Sequence, residues 1–123
     1  CAKFEQTVVT PASAVKGTTF VAASTFTVYN QTGTGEVAIF VVPPRGGVPE
    51  GDGELVPKGF APGTYQMRVS IATKDDYSQD PPVVFPPGVY TYGITLCEGL
   101  CGSHHAHTRT LATDRANFTL TAQ

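Results

Sequence analysis

Branching at Cβ dominates this chain: 14 Val, 17 Thr and 3 Ile stand against only 5 Leu and 1 Met. A branched side chain loses rotamer freedom against the preceding turn of a helix, whereas the pleated surface of a sheet accommodates it well. Another 13 Gly and 10 Pro are spread through the sequence, and both residues interrupt helices and shape turns. The chain is therefore confined to an all-β fold. Its 123 residues, 41% of them hydrophobic, are enough to fill one core.

Alternation of apolar and polar residues locates the strands. Residues 18–29 place Phe20, Ala22, Ser24, Phe26 and Val28 on one face. Residues 64–73 face Tyr65, Met67, Val69 and Ile71 inward, residues 89–97 face Tyr90, Tyr92, Ile94 and Leu96 inward, and residues 115–122 do the same with Ala116, Phe118, Leu120 and Ala122. In residues 3–10, Phe4 and Val8 share one face and Val9 takes the other. Residues 37–42 are apolar on both faces, the pattern of a central strand or of a face kept for a partner.

Pro62-Gly63-Thr64-Tyr65 and Pro87-Gly88-Val89-Tyr90 open two of these strands in the same way. The Pro-Gly supplies a turn, and the Tyr takes the first inward position. This arrangement resembles immunoglobulin-like and related sandwich domains, without the Trp and the paired core cysteines of antibody domains. The resemblance implies an Ig-like antiparallel β-sandwich of about seven strands, with a jelly roll as the alternative. The organisation read from the sequence is an N-terminal extension, residues 1–17, made of one strand and a flexible Ser13–Gly17 connector, followed by the sandwich, residues 18–123.

Two connections are long. Residues 43–62 contain five Pro and five Gly and are expected to be irregular apart from a short strand near Leu55-Val56. Residues 74–87 carry Asp75, Asp76, Asp80 and two Pro pairs. Loops of this length usually bind something or cover a surface.

With 8 Lys and Arg against 10 Asp and Glu, the net charge is -2. No basic field exists to hold nucleic acid or an anionic membrane surface, and no apolar run reaches the ~18 residues of a membrane span. Gly-x-Ser-x-Gly, His-Glu-x-x-His and phosphate-binding Gly loops are all missing. Glu5, Glu36, Glu50, Glu54 and Glu98 are scattered, with no two marked as a catalytic pair. Neither catalysis nor a cofactor is expected. His104, His105 and His107 contain a His-x-His, which on a strand sets two imidazoles on one face as a grip for copper or zinc. A closed site needs further ligands, so three solvated histidines outweigh a metal site. The aspartates of residues 74–87 lack EF-hand spacing and read as a solvated acidic loop.

Cys97 and Cys101 are spaced to close a small disulfide, the state favoured in an exported protein. The sequence opens at Cys1, which reads as the first residue of a processed, exported chain that is lipid-anchored, free or bonded to a neighbour. Asn30-Gln31-Thr32 and Asn117-Phe118-Thr119 match the N-glycosylation acceptor pattern, so glycans are expected companions. These features together point to an extracellular or cell-surface location.

An extended segment at residues 1–17 ahead of a small sandwich is similar in layout to the donor-strand subunits of microbial extracellular filaments. The resemblance implies a structural subunit of a pilus-like fibre, a homopolymer in which Phe4, Val8 and Val9 enter the core of the next copy. Strand 37–42 would wall the receiving groove. The competing reading is a secreted or lipid-anchored binding module that uses loops 43–62 and 74–87. A metal carrier built on the histidine loop is a third.

Overall fold

The computed structural model describes residues 1–45, 47–102 and 108–123. Eight strands follow in order: β1 (Ala2–Thr10), β2 (Ser13–Val15), β3 (Thr19–Val28), β4 (Gly35–Val42), β5 (Glu50–Val56), β6 (Gly63–Ala72), β7 (Gly88–Glu98) and β8 (Arg109–Thr121). They form a three-stranded sheet, β1-β3-β6, and a five-stranded sheet, β2-β8-β7-β4-β5. All pairings are antiparallel except β2 with β8. This is an all-β, immunoglobulin-like sandwich, with no helix among the described residues.

The core forms where the alternating faces meet. Phe20, Ala22, Ser24, Phe26 and Val28 are buried on β3, as are Tyr90, Tyr92, Ile94 and Leu96 on β7 and Phe118 and Leu120 on β8. Ala122, expected inside, lies past the end of β8 and is exposed. Ring centroids of Phe20 and Phe118 are 4.6 Å apart, which ties the two sheets together, and within the five-stranded sheet the Tyr90 ring stacks on Phe118 at 5.3 Å. Burial of each large apolar side chain contributes roughly 1.5–3 kcal/mol. The one polar position in the β3 stripe, Ser24, satisfies its hydroxyl on Thr7 Oγ1 at 2.9 Å.

Both Pro-Gly-x-Tyr segments adopt the same geometry. Gly63 and Gly88 have φ of 153° and 142°, a conformation that side-chain-bearing residues rarely take. Tyr65 donates its hydroxyl to the Ala61 carbonyl and Tyr90 donates to that of Pro86, each at 2.7 Å and four residues upstream. The bond clamps the start of each strand in the manner of a tyrosine corner. Their surroundings differ: Tyr90 is 1% exposed and Tyr65 is 37% exposed.

Residues 1–17 do not stand outside the sandwich, and β1 is not a donor strand. It pairs with β3 of its own chain along its length. The Phe4 ring lies 5.4 Å from that of Phe26, and Val9 is 5% exposed in the core, while Val8 is 41% exposed on the outside. The expected faces fail because pairing shifts between Phe4 and Gln6. One extra residue at Glu5 inverts the alternation beyond it, so Val9 instead of Val8 joins Phe4 inside. The supposed connector also pairs: Ser13, Ala14 and Val15 run parallel to Thr119, Leu120 and Thr121 of β8. Residues 1–17 therefore give one edge strand to each sheet.

Strand β4 is central, lying between β5 and β7. Val37, Ile39 and Val41 pack toward the core. Phe40 points the other way, onto Gly93, where an added Cβ would sit 1.9 Å from the ring. The Arg115 guanidinium covers the same ring at 5.8 Å from its centroid. Its own chain thus covers this outward apolar residue without a neighbour's strand.

Candidate interaction surface

Five strands facing three leave a position empty. Opposite β5 the other sheet has already ended at β6. Glu50, Asp52 and Glu54 of β5 pair across the ladder with Val41, Ile39 and Val37 of β4, and residues paired this way share a face. Since Val37, Ile39 and Val41 face the core, the three carboxylates lie on the inner face too. They are nevertheless exposed, because no strand stands over them.

The result is a groove. Two adjoining hollows of about 220 and 210 Å³ share Ile39, Asp52 and Val69. Tyr92 and Ile71 extend the apolar floor at one end, and Val37 and Met67 extend it at the other. One wall is the acidic row of β5; the other is the unpaired backbone edge of β6. Alternate strand residues repeat at about 7 Å, and among the described residues no acidic groups are gathered to hold one metal ion. Each hollow is smaller than the roughly 300–1,000 Å³ of a small-molecule site, and the elongated form suits successive side chains of an extended segment. Neither ion pair of the described residues, Lys16 with Asp75 at 2.5 Å and Arg109 with Glu98 at 3.1 Å, involves the row.

This wall occupies the stretch expected to be irregular apart from a short strand near Leu55-Val56. That strand is present but extends back to Glu50, paired with β4 from Glu50 to Val56. The signal was the period-two row Glu50-x-Asp52-x-Glu54, hidden because Gly51 and Gly53 separate the acids.

The other long connection is held by its own polar groups. Asp75 pairs with Lys16 and accepts the Phe85 N–H at 2.8 Å and the Tyr77 hydroxyl at 3.1 Å. These bonds, that of Lys16 foremost, hold its carboxyl below the usual range. Asp76 accepts from the Ser78 hydroxyl and N–H and from Gln79, which depress its pKa likewise. Their work is to fold the loop. The His104, His105 and His107 candidate lies outside the described residues. Among the described residues, no group of His, Cys, Asp and Glu could hold a metal ion.

Cys97 and Cys101 are bonded, with Cα atoms 5.4 Å apart. The Cys101 N–H donates to Glu36 Oε1 at 2.8 Å, anchoring the bridge to β4. Beside it, Glu98 accepts the Gly33 N–H at 2.7 Å and Arg109 Nε, and these bonds lower its pKa. Asn30 is exposed, but the Thr of its acceptor tripeptide, Thr32, is buried, accepting the Phe60 N–H and donating to the Gly33 carbonyl. Asn117 is exposed on the outer face of β8, where its Oδ1 accepts the Thr91 hydroxyl at 2.9 Å. Cys1 is a free, exposed thiol. No helix of the described residues is long and apolar enough to cross a membrane.

Comparison with known proteins adds a relationship that this geometry does not announce. The model of the countin C-terminal domain matches residues 2–123. Countin-2 of Dictyostelium discoideum is 38% identical over 114 residues, covering 93% of this chain and 42% of that protein. Countin-3 of the same organism is 34% identical over 119 residues, covering 97% of this chain and 51% of that protein. For Countin-1, the identity is 31% over 112 residues, with 91% and 41% covered. The chain thus spans about half the length of these relatives or less. Among solved structures, a Pseudomonas fluorescens alkylpurine DNA glycosylase bound to DNA containing an abasic-site analogue aligns with a TM-score of 0.64 at 19% identity. The alignment covers 98% of this chain and 30% of that one, and it shows a shared fold alone. Countin relatives, and the burial of Phe4 and Val9 in their own core, overturn the pilus-like function and the homopolymer of strand-exchanging copies. From residue 2 to its last residue, the chain belongs to the countin C-terminal domain family.

Proposed function

We propose that this chain is a non-catalytic binding domain of an exported, countin-type protein, and that it receives a protein partner at the open β5–β6 side. The observation that carries the reading is the acidic row of β5, which lies on the inner face of its sheet and remains uncovered. Inner faces of a sandwich are normally covered by the opposite sheet, and a vacancy beside an open strand edge is where an extended segment adds. Export is supported by the Cys97–Cys101 bridge, which belongs in an oxidising compartment. In the same reading Asn117 carries a glycan, and enzymatic deglycosylation of the secreted protein should shift the mass of the peptide that contains it.

The test is site-specific photocrosslinking on the source cells. A photoreactive residue at Ser70, on the open β6 edge, should yield a discrete adduct with one partner protein. The same residue at Lys3, on the β1 edge, should not. Equal labelling from both positions, or none from Ser70, would overturn the reading.

A further inference from the structure

We infer that the vacant position beside β6 takes an extended cationic strand of a partner protein, with Lys or Arg at every second residue facing Glu50, Asp52 and Glu54. The inference rests on the binding-domain reading and specifies its ligand.

Backbone geometry sets the pose. Among the described residues β6 pairs with β3 and no other strand, so its other edge can extend the sheet through main-chain bonds. Stacked sheets lie about 10 Å apart, so a strand added there stands opposite β5. Its inward side chains would then point at the inward side chains of β5, and both strands repeat every second residue at about 7 Å. Positions i, i+2 and i+4 of the incoming strand can therefore meet Glu54, Asp52 and Glu50 one to one.

Charge selects the residue type. Apolar side chains in those positions would cover three carboxylates outside both ion pairs of the described residues, of which Asp52 accepts no more than the Gly53 N–H at 2.8 Å, and stripping water from charge without a counter-charge is costly. Ammonium or guanidinium groups would give the carboxylates charge-assisted bonds instead. The long stems of Lys and Arg would lie over Ile39 and Val69, which the hollows leave open. A second copy of this chain does not fit the pattern, because no two of its Lys and Arg stand two residues apart. Its β1 is also already paired with β3.

The probe is a short blocked peptide alternating Thr and Lys, titrated into the isotope-labelled 123-residue chain. Controls are a block isomer with its Lys contiguous, a Thr/Glu alternate and a Thr/Val alternate. Amide shifts and slowed hydrogen exchange should be confined to residues 50–56 and 63–72. The Thr/Lys alternate should bind about tenfold more tightly than any control. In the E50Q/D52N/E54Q variant its affinity should fall by about tenfold, with core amide shifts of β7 unchanged to certify the fold. Equal binding of the block isomer or the Thr/Val peptide overturns the inference, as does perturbation along β1 and β8 or no binding at all. Concentration-dependent protection of β6 without peptide would make a second copy the occupant and overturn it too. Should the Ser70 adduct form while the peptides fail, only the cationic occupant is lost; should both fail, the binding-domain reading falls with it.

Discussion

Along one side of the sandwich the chain passes from β1 to β2 and so gives an edge strand to each sheet; along the other it passes from β5 to β6 through residues 57–62, again ending one sheet and the other, but here the inner face of β5 stays uncovered. On the first side, Phe4, Val9 and Ala14 turn inward and cover the core. On the second, the inner face of β5 presents Glu50, Asp52 and Glu54 to water. Both sides have strand edges with unpaired backbone, so an open edge alone does not distinguish an interaction surface. What distinguishes the β5–β6 side is that the position facing an inner surface is unfilled. The closed side should carry stability, and the open side should carry recognition.

Removing residues 1–10 is the severest test of that division. It strips Phe4 and Val9 from the core, which at ~1.5–3 kcal/mol each amounts to about 3–6 kcal/mol of the 5–15 typical of a domain. The thermal transition followed by circular dichroism should move far down or lose its cooperativity. Unchanged stability would show that the first strand is dispensable and break the comparison. Reduction of Cys97–Cys101, which lies on neither side, opens a small loop and should lower stability by about 2 kcal/mol in denaturant titration. Shifts at residues 50–56 on reduction would show that the groove depends on the bridge.

The paired tyrosine corners sharpen the comparison further. Tyr90→Phe removes a hydroxyl from a buried position and leaves the Pro86 carbonyl without its donor, at a cost of about 1–2 kcal/mol. Tyr65→Phe breaks the same bond at an exposed position and should cost about 0.5 kcal/mol or less, because water replaces the donor. Equal losses in urea unfolding would mean that burial does not separate the two.

Acid and alkali probe the same contrast. Hydrogen bonds from Lys16 and from the Gly33 N–H depress the carboxyls of Asp75 and Glu98 in the folded chain. Their contribution is present above the ordinary carboxylate pKa and is lost as pH falls through the depressed folded values. Asp75→Asn should therefore flatten the decline in stability below about pH 4. Burial pushes Tyr90 and Tyr92 up to about 12. That stability is complete below the ordinary Tyr value of about 10 and disappears as pH rises from there through the folded pKa. The smallest effect is expected on the open side. E50Q/D52N/E54Q should alter unfolding free energy by no more than about 0.5 kcal/mol, since the side chains are exposed and outside the ion pairs. A large loss would mean that the acidic row holds the fold together and does not wait for a ligand.

Legibility followed from periodicity. Strands with a regular alternation, β3 and β7 above all, had their buried faces readable residue by residue, because every second side chain must enter the core. The two Pro-Gly-x-Tyr segments were visible as an echo, and the structure supplied the hydrogen bond that makes them equivalent. β1 misled because a bulge at Glu5 breaks the alternation on which such reading depends. β2 is three residues long and parallel to a strand over a hundred positions away, so no local pattern marks it. In β5 only the Leu55-Val56 end was legible, and glycines and acids hid the rest, since an edge strand with nothing opposite does not need apolar inner residues.

The sequence by itself determined that this chain is an all-β sandwich with an aromatic core, because branched side chains, alternation and turn residues act over a few positions and need no distant partner. Only the tertiary structure decided that the first strand completes its own core and that the vacancy lies between β5 and β6. Both depend on which strand pairs with which, and that choice is made by long-range packing between segments whose local patterns leave several pairings open.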